Sequence, residues 1–118
     1  MAAINEENFS QLIEDIGMDA VKEIMPPFFD ELLQQSREFH VAFEQSHYAE
    51  AGEVAHKIKS ASRSYGAQDL ADTFADFEAS LRQNQVPEIN AVPWQAQVED
   101  LIQALAQRLS LAVPDTNV

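Results

Sequence analysis

The stretch YAEAGEVAHKIKSASRSYGA, residues 48–67, reads as one helix and its stop. Each residue turns an α-helix by about 100°, so Val54, Ile58, Ala61 and Tyr65 fall on one apolar face. Gly66 stands where a glycine commonly ends such a run. The opposite side carries Ala49, Gly52, His56, Lys59, Ser60 and Arg63, which are small or basic apart from the imidazole. The wheel therefore keeps His56 off the core face. An apolar stripe of this kind must be covered by other helices, and the rest of the chain supplies them.

A short first helix is expected from Glu6 to Asp15, capped by Asn5 and stopped by Gly17. A second runs from Asp19 to Gln45 with Phe28, Leu32, Phe39 and Phe43 as its narrow stripe. Pro26 and Pro27 interrupt it, so it either kinks there or restarts with a proline in its first turn. Ser46 and His47 make the next turn, and the third helix runs from Tyr48 to Ser64. The fourth spans Gln68 to Gln83, with Leu70, Phe74, Phe77 and Leu81 on one face. After a loop holding Pro87 and Pro93, the last helix runs from Trp94, its anchor, to Leu111 through Val98, Leu101, Leu105 and Leu109. The expected fold class is all-α: an antiparallel up-down-up-down four-helix bundle with a short extra N-terminal helix over one end. One domain is expected over residues 1–112, and a disordered tail over 113–118.

Composition narrows the function. A chain of 118 residues suits one core. There is no apolar run of about 18 residues, which argues against a membrane span. No charged start followed by an apolar segment marks a signal peptide, and cysteine is absent, so a cytoplasmic location is expected. Seven basic against twenty acidic residues give a net charge of −13, which repels phosphate backbones and excludes nucleic acid as a partner. The same charge, with no spare apolar stripe, predicts a monomer.

Three of the seven basic residues, Lys57, Lys59 and Arg63, sit within one helical stretch around His56. A neutral imidazole nitrogen is a nucleophile at physiological pH. A phosphoryl group placed on it would carry about two negative charges, which Lys59 three residues on and the Ser60 hydroxyl four residues on could meet. Ala49 and Gly52 remove bulk beside the ring, so a second protein could approach it.

These residues resemble the histidine-containing phosphotransfer (Hpt) domain family. Its motif, roughly A-H-x-L-K-G with a later G-A, stands here as Ala55-His56-Lys57-Ile58-Lys59-Ser60 and Gly66-Ala67. Ile58 replaces leucine, and Ser60 replaces glycine, adding a hydroxymethyl group beside the imidazole. Tyr48-Ala49-Glu50-Ala51 resembles the start of the family's third helix, and Leu70 with Phe77-Glu78 resembles its L…LE segment. The resemblance covers residues 45–82 by motif. It implies a phosphorelay carrier rather than a kinase. His56 would accept a phosphoryl group from a receiver-domain aspartate and pass it to another, and Lys59 would stabilise the phosphorylated state. Glu78 would orient His56 through Nδ1–H, although alone it also reads as one exposed acid among twenty. The implied partners are response-regulator receiver domains and a hybrid sensor histidine kinase. No cofactor is implied for this chain, because the partner receiver would supply Mg²⁺. The expected docking face comprises Gly52, Lys57, Ser60 and Arg63, with Phe29 and Leu33 on the flank of the second helix read either as docking residues or as core.

Two other readings compete. Glu44-x-x-His47 and Glu53-x-x-His56 match the Glu-x-x-His pattern of di-iron bundles. They lie nine residues apart across one turn, and His56 points away from the core, so no metal site is expected. An acidic helical module that binds a partner without phosphorylation is the other alternative. His40 and His47 read as exposed.

Overall fold

The computed structural model describes residues 4–116, and among them all regular structure is helical. The helices are α1 (Glu6–Ile16), α2 (Met18–Glu44), α3 (Tyr48–Ser64), α4 (Gln68–Arg82) and α5 (Trp94–Leu109), with a short 3₁₀ turn at Ile89–Ala91. Packing follows chain order, α2 on α3, α3 on α4 and α4 on α5, and α5 closes the ring against α2. With such short connections, this is the expected four-helix bundle with an extra N-terminal helix. Residues 113–116 carry no regular structure, while 1–3 and 117–118, which the expected domain and tail include, lie outside the described residues.

The core forms where aromatic rings from three helices meet. Phe39 of α2 packs edge-on against Phe74 of α4 at 5.0 Å and against Trp94 of α5 at 5.4 Å, and stacks on Phe77 at 5.7 Å. Trp94 is the expected anchor of α5, 1% exposed. Edge-to-face geometry sets the positive rim of one ring against the negative face of the next.

The α2 face is broader than a narrow stripe. Val21, Met25, Phe28, Phe29, Leu32, Leu33, Phe39 and Ala42 are all buried. The reason is that α2 packs against three elements, α1, α3 and α5. Pro26 and Pro27 neither end nor restart it: one helix runs through both. Both are exposed.

The turns share one device. After α2, α3 and α4, the first residue past the cap takes a left-handed conformation and its N–H returns to the helix: Ser46 to Phe43, Gly66 to Arg63 and Asn84 to Leu81. The following N–H reaches one residue further back, at Ala42, Ser62 and Ser80. This is the Schellman arrangement, which satisfies carbonyls orphaned at a helix end.

The α3–α4 turn is also the seat of α1. Asn5 donates its backbone N–H to the Gly66 carbonyl at 2.6 Å, while its side chain caps α1 by accepting from the Asn8 N–H at 3.0 Å. Arg108 of α5 reaches Glu6 at 2.7 Å and lies over the Phe9 ring. A Cβ at Gly66 would lie 3.2 Å from the Asn5 carbonyl oxygen and 3.3 Å from the Phe9 nitrogen, at a φ of 76°. Gly66→Ala therefore meets both backbone strain and a steric clash. It is expected to lower the unfolding free energy by about 1–2 kcal/mol in urea titration. An unchanged midpoint would show that the turn does not need glycine.

Candidate functional site

Burial of Glu78 organises the site. It lies on α4 between Phe77 and Leu81, and the packing of α4 on α3 leaves its side chain 6% exposed. An ionised carboxylate taken from water needs donors, and Glu78 has three. Lys59 Nζ donates to Oε1 at 2.5 Å, Arg82 Nη2 to Oε2 at 2.6 Å, and His56 Nδ1 lies 2.9 Å from Oε2. Two donors come from α3, three residues apart, so they share a face toward α4. The third comes from the next turn of α4 itself.

Burial alone would push the Glu78 carboxyl up. The hydrogen bonds from Lys59 and His56, with the charges of Lys59 and Arg82, outweigh it and hold the group below its ordinary value. Glu78 is therefore a carboxylate at neutral pH and accepts only. Neutral His56 must then carry its proton on Nδ1, leaving the Nε2 lone pair free. The His56 side chain is 50% exposed, so the nucleophilic atom is reachable while its anchor is dry.

The structure brings His56, Lys59 and Glu78 together. Glu78 is not a surface acid, and Lys59, with its side chain 18% exposed, is occupied by that carboxylate. Lys57, Ser60 and Arg63 are exposed on α3 around His56. Gly52 is buried where α3 meets α4, and a Cβ there would stand 3.6 Å from that of Leu81. Phe29 and Leu33 do not belong to a docking face: at 1% and 3% exposure they are core, held between the neighbours of α2. His40 is half-buried rather than exposed, its ring 6.3 Å from that of Trp94. His47 is exposed, 3.8 Å from Glu50. Among the described residues no three His, Asp or Glu side chains converge to hold a metal. Arg82 was missed by the sequence reading. Its signal was the four-residue spacing from Glu78, which on a helix places a cation beside a carboxylate.

The profile of the Hpt domain family matches residues 23–108. That span holds α2 from Glu23, all of α3 and α4, and α5 as far as Arg108. No curated protein and no solved structure matches the chain.

Two measurements check the geometry. Nitrogen shifts of the His56 ring should show hydrogen on Nδ1 and a bare Nε2, and Glu78→Ala should release the ring to a mixture of tautomers. Stability should also depend on Glu78 ionisation. Because its folded-state pKa is depressed, its contribution is present above the ordinary value of 4.5 and lost as pH falls through the lower folded value. The stability gap between wild type and Glu78→Gln should thus close on acidification. A gap that stays constant from neutral pH to about pH 3 would show that the charge contributes nothing.

Proposed function

The chain belongs to the Hpt domain family, and from that premise we propose that it is a phosphorelay carrier with His56 as the phosphorylated residue. Hpt domains transfer phosphoryl groups in two-component signalling rather than acting as kinases. The observation that carries the assignment to His56 is its Nδ1 bond to buried Glu78, which leaves the Nε2 lone pair free on a side chain that is 50% exposed.

The reaction balances as follows. The Nε2 lone pair attacks the phosphorus of an aspartyl phosphate on a receiver domain, with Mg²⁺ held by that partner. The N–P bond forms, the P–O bond to the aspartyl carboxyl breaks, and its electron pair leaves on the carboxylate. No proton has to move, because Nε2 carried none. The ring then bears hydrogen on Nδ1 and phosphorus on Nε2, and so a positive charge. Glu78, 2.9 Å from Nδ1, stabilises that charge. Return transfer to a second aspartate is the same step reversed, with a neutral imidazole as leaving group.

Lys59 holds Glu78 in the resting state and lies three residues from His56, on the same side of α3. A phosphoryl group on Nε2 offers it a second anion. Charge neutralisation and positioning are the main resources of phosphoryl transfer, and this site supplies both. The protein would act on receiver domains as a monomer in the cytoplasm, and a hybrid sensor kinase would be the upstream source.

Incubation with labelled phospho-receivers and Mg²⁺ should place acid-labile, base-stable label on the wild type and none on His56→Gln. Lys59→Ala should slow transfer by about 10- to 100-fold and, because it removes a donor from buried Glu78, lower thermal stability as well. Receiver binding without label from any donor would instead assign the chain to non-phosphorylated interaction modules.

A further inference from the structure

Gly17 alone separates α1 from α2. It holds φ 87° and ψ 153°, a region that essentially only glycine enters. A Cβ there would meet nothing within 4 Å, so the backbone conformation by itself demands glycine. Ile16 and Met18 on either side are exposed, so little packing holds the hinge. The helical ladder is already formed up to the break and away from it. The Gly17 N–H donates to the Ile13 carbonyl at 2.8 Å, and the Val21 N–H to the Gly17 carbonyl at 3.1 Å. No side chain caps the start of α2, at Met18, Asp19 and Ala20. Rotation of Gly17 into the helical region would join α1 and α2 into one helix and give those N–H groups carbonyls four residues back.

What opposes that rotation is the seat of α1. Phe9 and Ile4 are buried at 1% and 5% exposure, Asn5 donates to the Gly66 carbonyl, and Arg108 holds Glu6 and covers the Phe9 ring. In a continuous helix, a turn of about 100° per residue would set Phe9, Leu12, Ile13 and Ile16 about 140° round the axis from Val21, Met25, Phe28 and Leu32. The α1 stripe would then face away from its own core, and its own seat would stand empty. A second copy in the same state offers a seat that fits that stripe. The family profile begins at residue 23, so α1 is an addition to the bundle that carries the seat.

We propose that α1 is an exchangeable arm: it swings about Gly17 and docks on the α3–α4 turn of a second copy, whose α1 docks in return. This two-fold exchange keeps the contacts of the seat and adds the ladder bonds across the hinge. It is opposed by the lost freedom of two molecules and by the repulsion of two chains of net charge −13. A very short connection is the kind that invites such an exchange. The monomer is therefore the form at low concentration, and the dimer grows as concentration rises. No residue of the His56 site takes part, so the exchange is independent of phosphotransfer.

Charge reversal at the Glu6–Arg108 contact tests it. Glu6→Arg sets two cations together and Arg108→Glu two anions, in each variant's monomer and in its homodimer alike. In a reciprocal dimer of one copy of each, every arm meets a seat of opposite charge and both pairs are restored. Native mass spectrometry of an equal mixture is expected to show heterodimer above either homodimer by about fivefold or more. Gly17→Ala excludes the folded-back backbone and favours helix. It is expected to raise the dimer fraction about tenfold in sedimentation at equal concentration, and Phe9→Ala added to it should reverse the gain. A mixture that stays monomeric, or dimers in statistical proportion, overturns the exchange. The charge variants keep Gly17, so this outcome does not depend on how Gly17→Ala folds. A dimer that survives Phe9→Ala lies on another surface and overturns α1 as the arm.

Discussion

A carboxylate that leaves water must be met by donors or give up its charge, and the helix pair at the centre of this protein is built around that requirement. Glu78 is almost wholly buried, and removing such an ion from water costs several kcal/mol when nothing replaces the lost hydration. Lys59, Arg82 and His56 replace it. Because two of these donors lie on α3 and the acceptor on α4, the bonds fix the relative rotation and height of the two helices. The imidazole is thus oriented by the same contacts that satisfy a buried charge.

This arrangement explains the clustering of scarce cations. Lys57, Lys59, Arg63 and Arg82, four of the seven basic residues, surround one histidine in a chain of net charge −13. Elsewhere an added dianion would meet mostly like charge. Here Lys59 and Arg82 already hold an anion, and the Arg82 side chain is 67% exposed. The same pairing keeps Glu78 ionised, which a lone buried carboxyl would not be.

Much of this was legible in the sequence, and the gaps have physical causes. Helical periodicity and Gly66 located α3 and its stop, and the face carrying His56 followed from the wheel. The other two Schellman turns were hidden because Ser46 and Asn84 hold left-handed conformations that only glycine advertises. The α2 face was drawn too narrow, because periodicity shows one stripe whereas burial depends on how many neighbours a helix has. Phe29 and Leu33 were thereby left open as docking residues although α1, α3 and α5 enclose α2. Glu78 could be placed beside His56 only by family resemblance, since an acid at a bundle edge looks the same whether a neighbour covers it or not. The resemblance carried no information about Arg82, which became visible only with both helices in place.

The surroundings of His56 are unequal along α3, and that inequality bears on orientation. Toward the helix start, Ala49 and Gly52 leave an apolar hollow against Leu81 and Val86. Toward the helix end, Ser60 and Arg63 are exposed and polar. Ser60, where the family motif has glycine, adds bulk on the polar side, while the absence of a side chain at Gly52 keeps the other side open. A partner meeting a uniform surface could approach His56 in several rotations about the Nε2 axis. Between an apolar hollow and a cationic rim, one rotation of such a partner would desolvate hydrophobic surface on one side and pair charge on the other, and the reversed rotation would do neither. In-line attack tolerates little error in angle. For a carrier as proposed, such a restriction on partner orientation would do for the incoming phosphorus what Glu78 does for the imidazole.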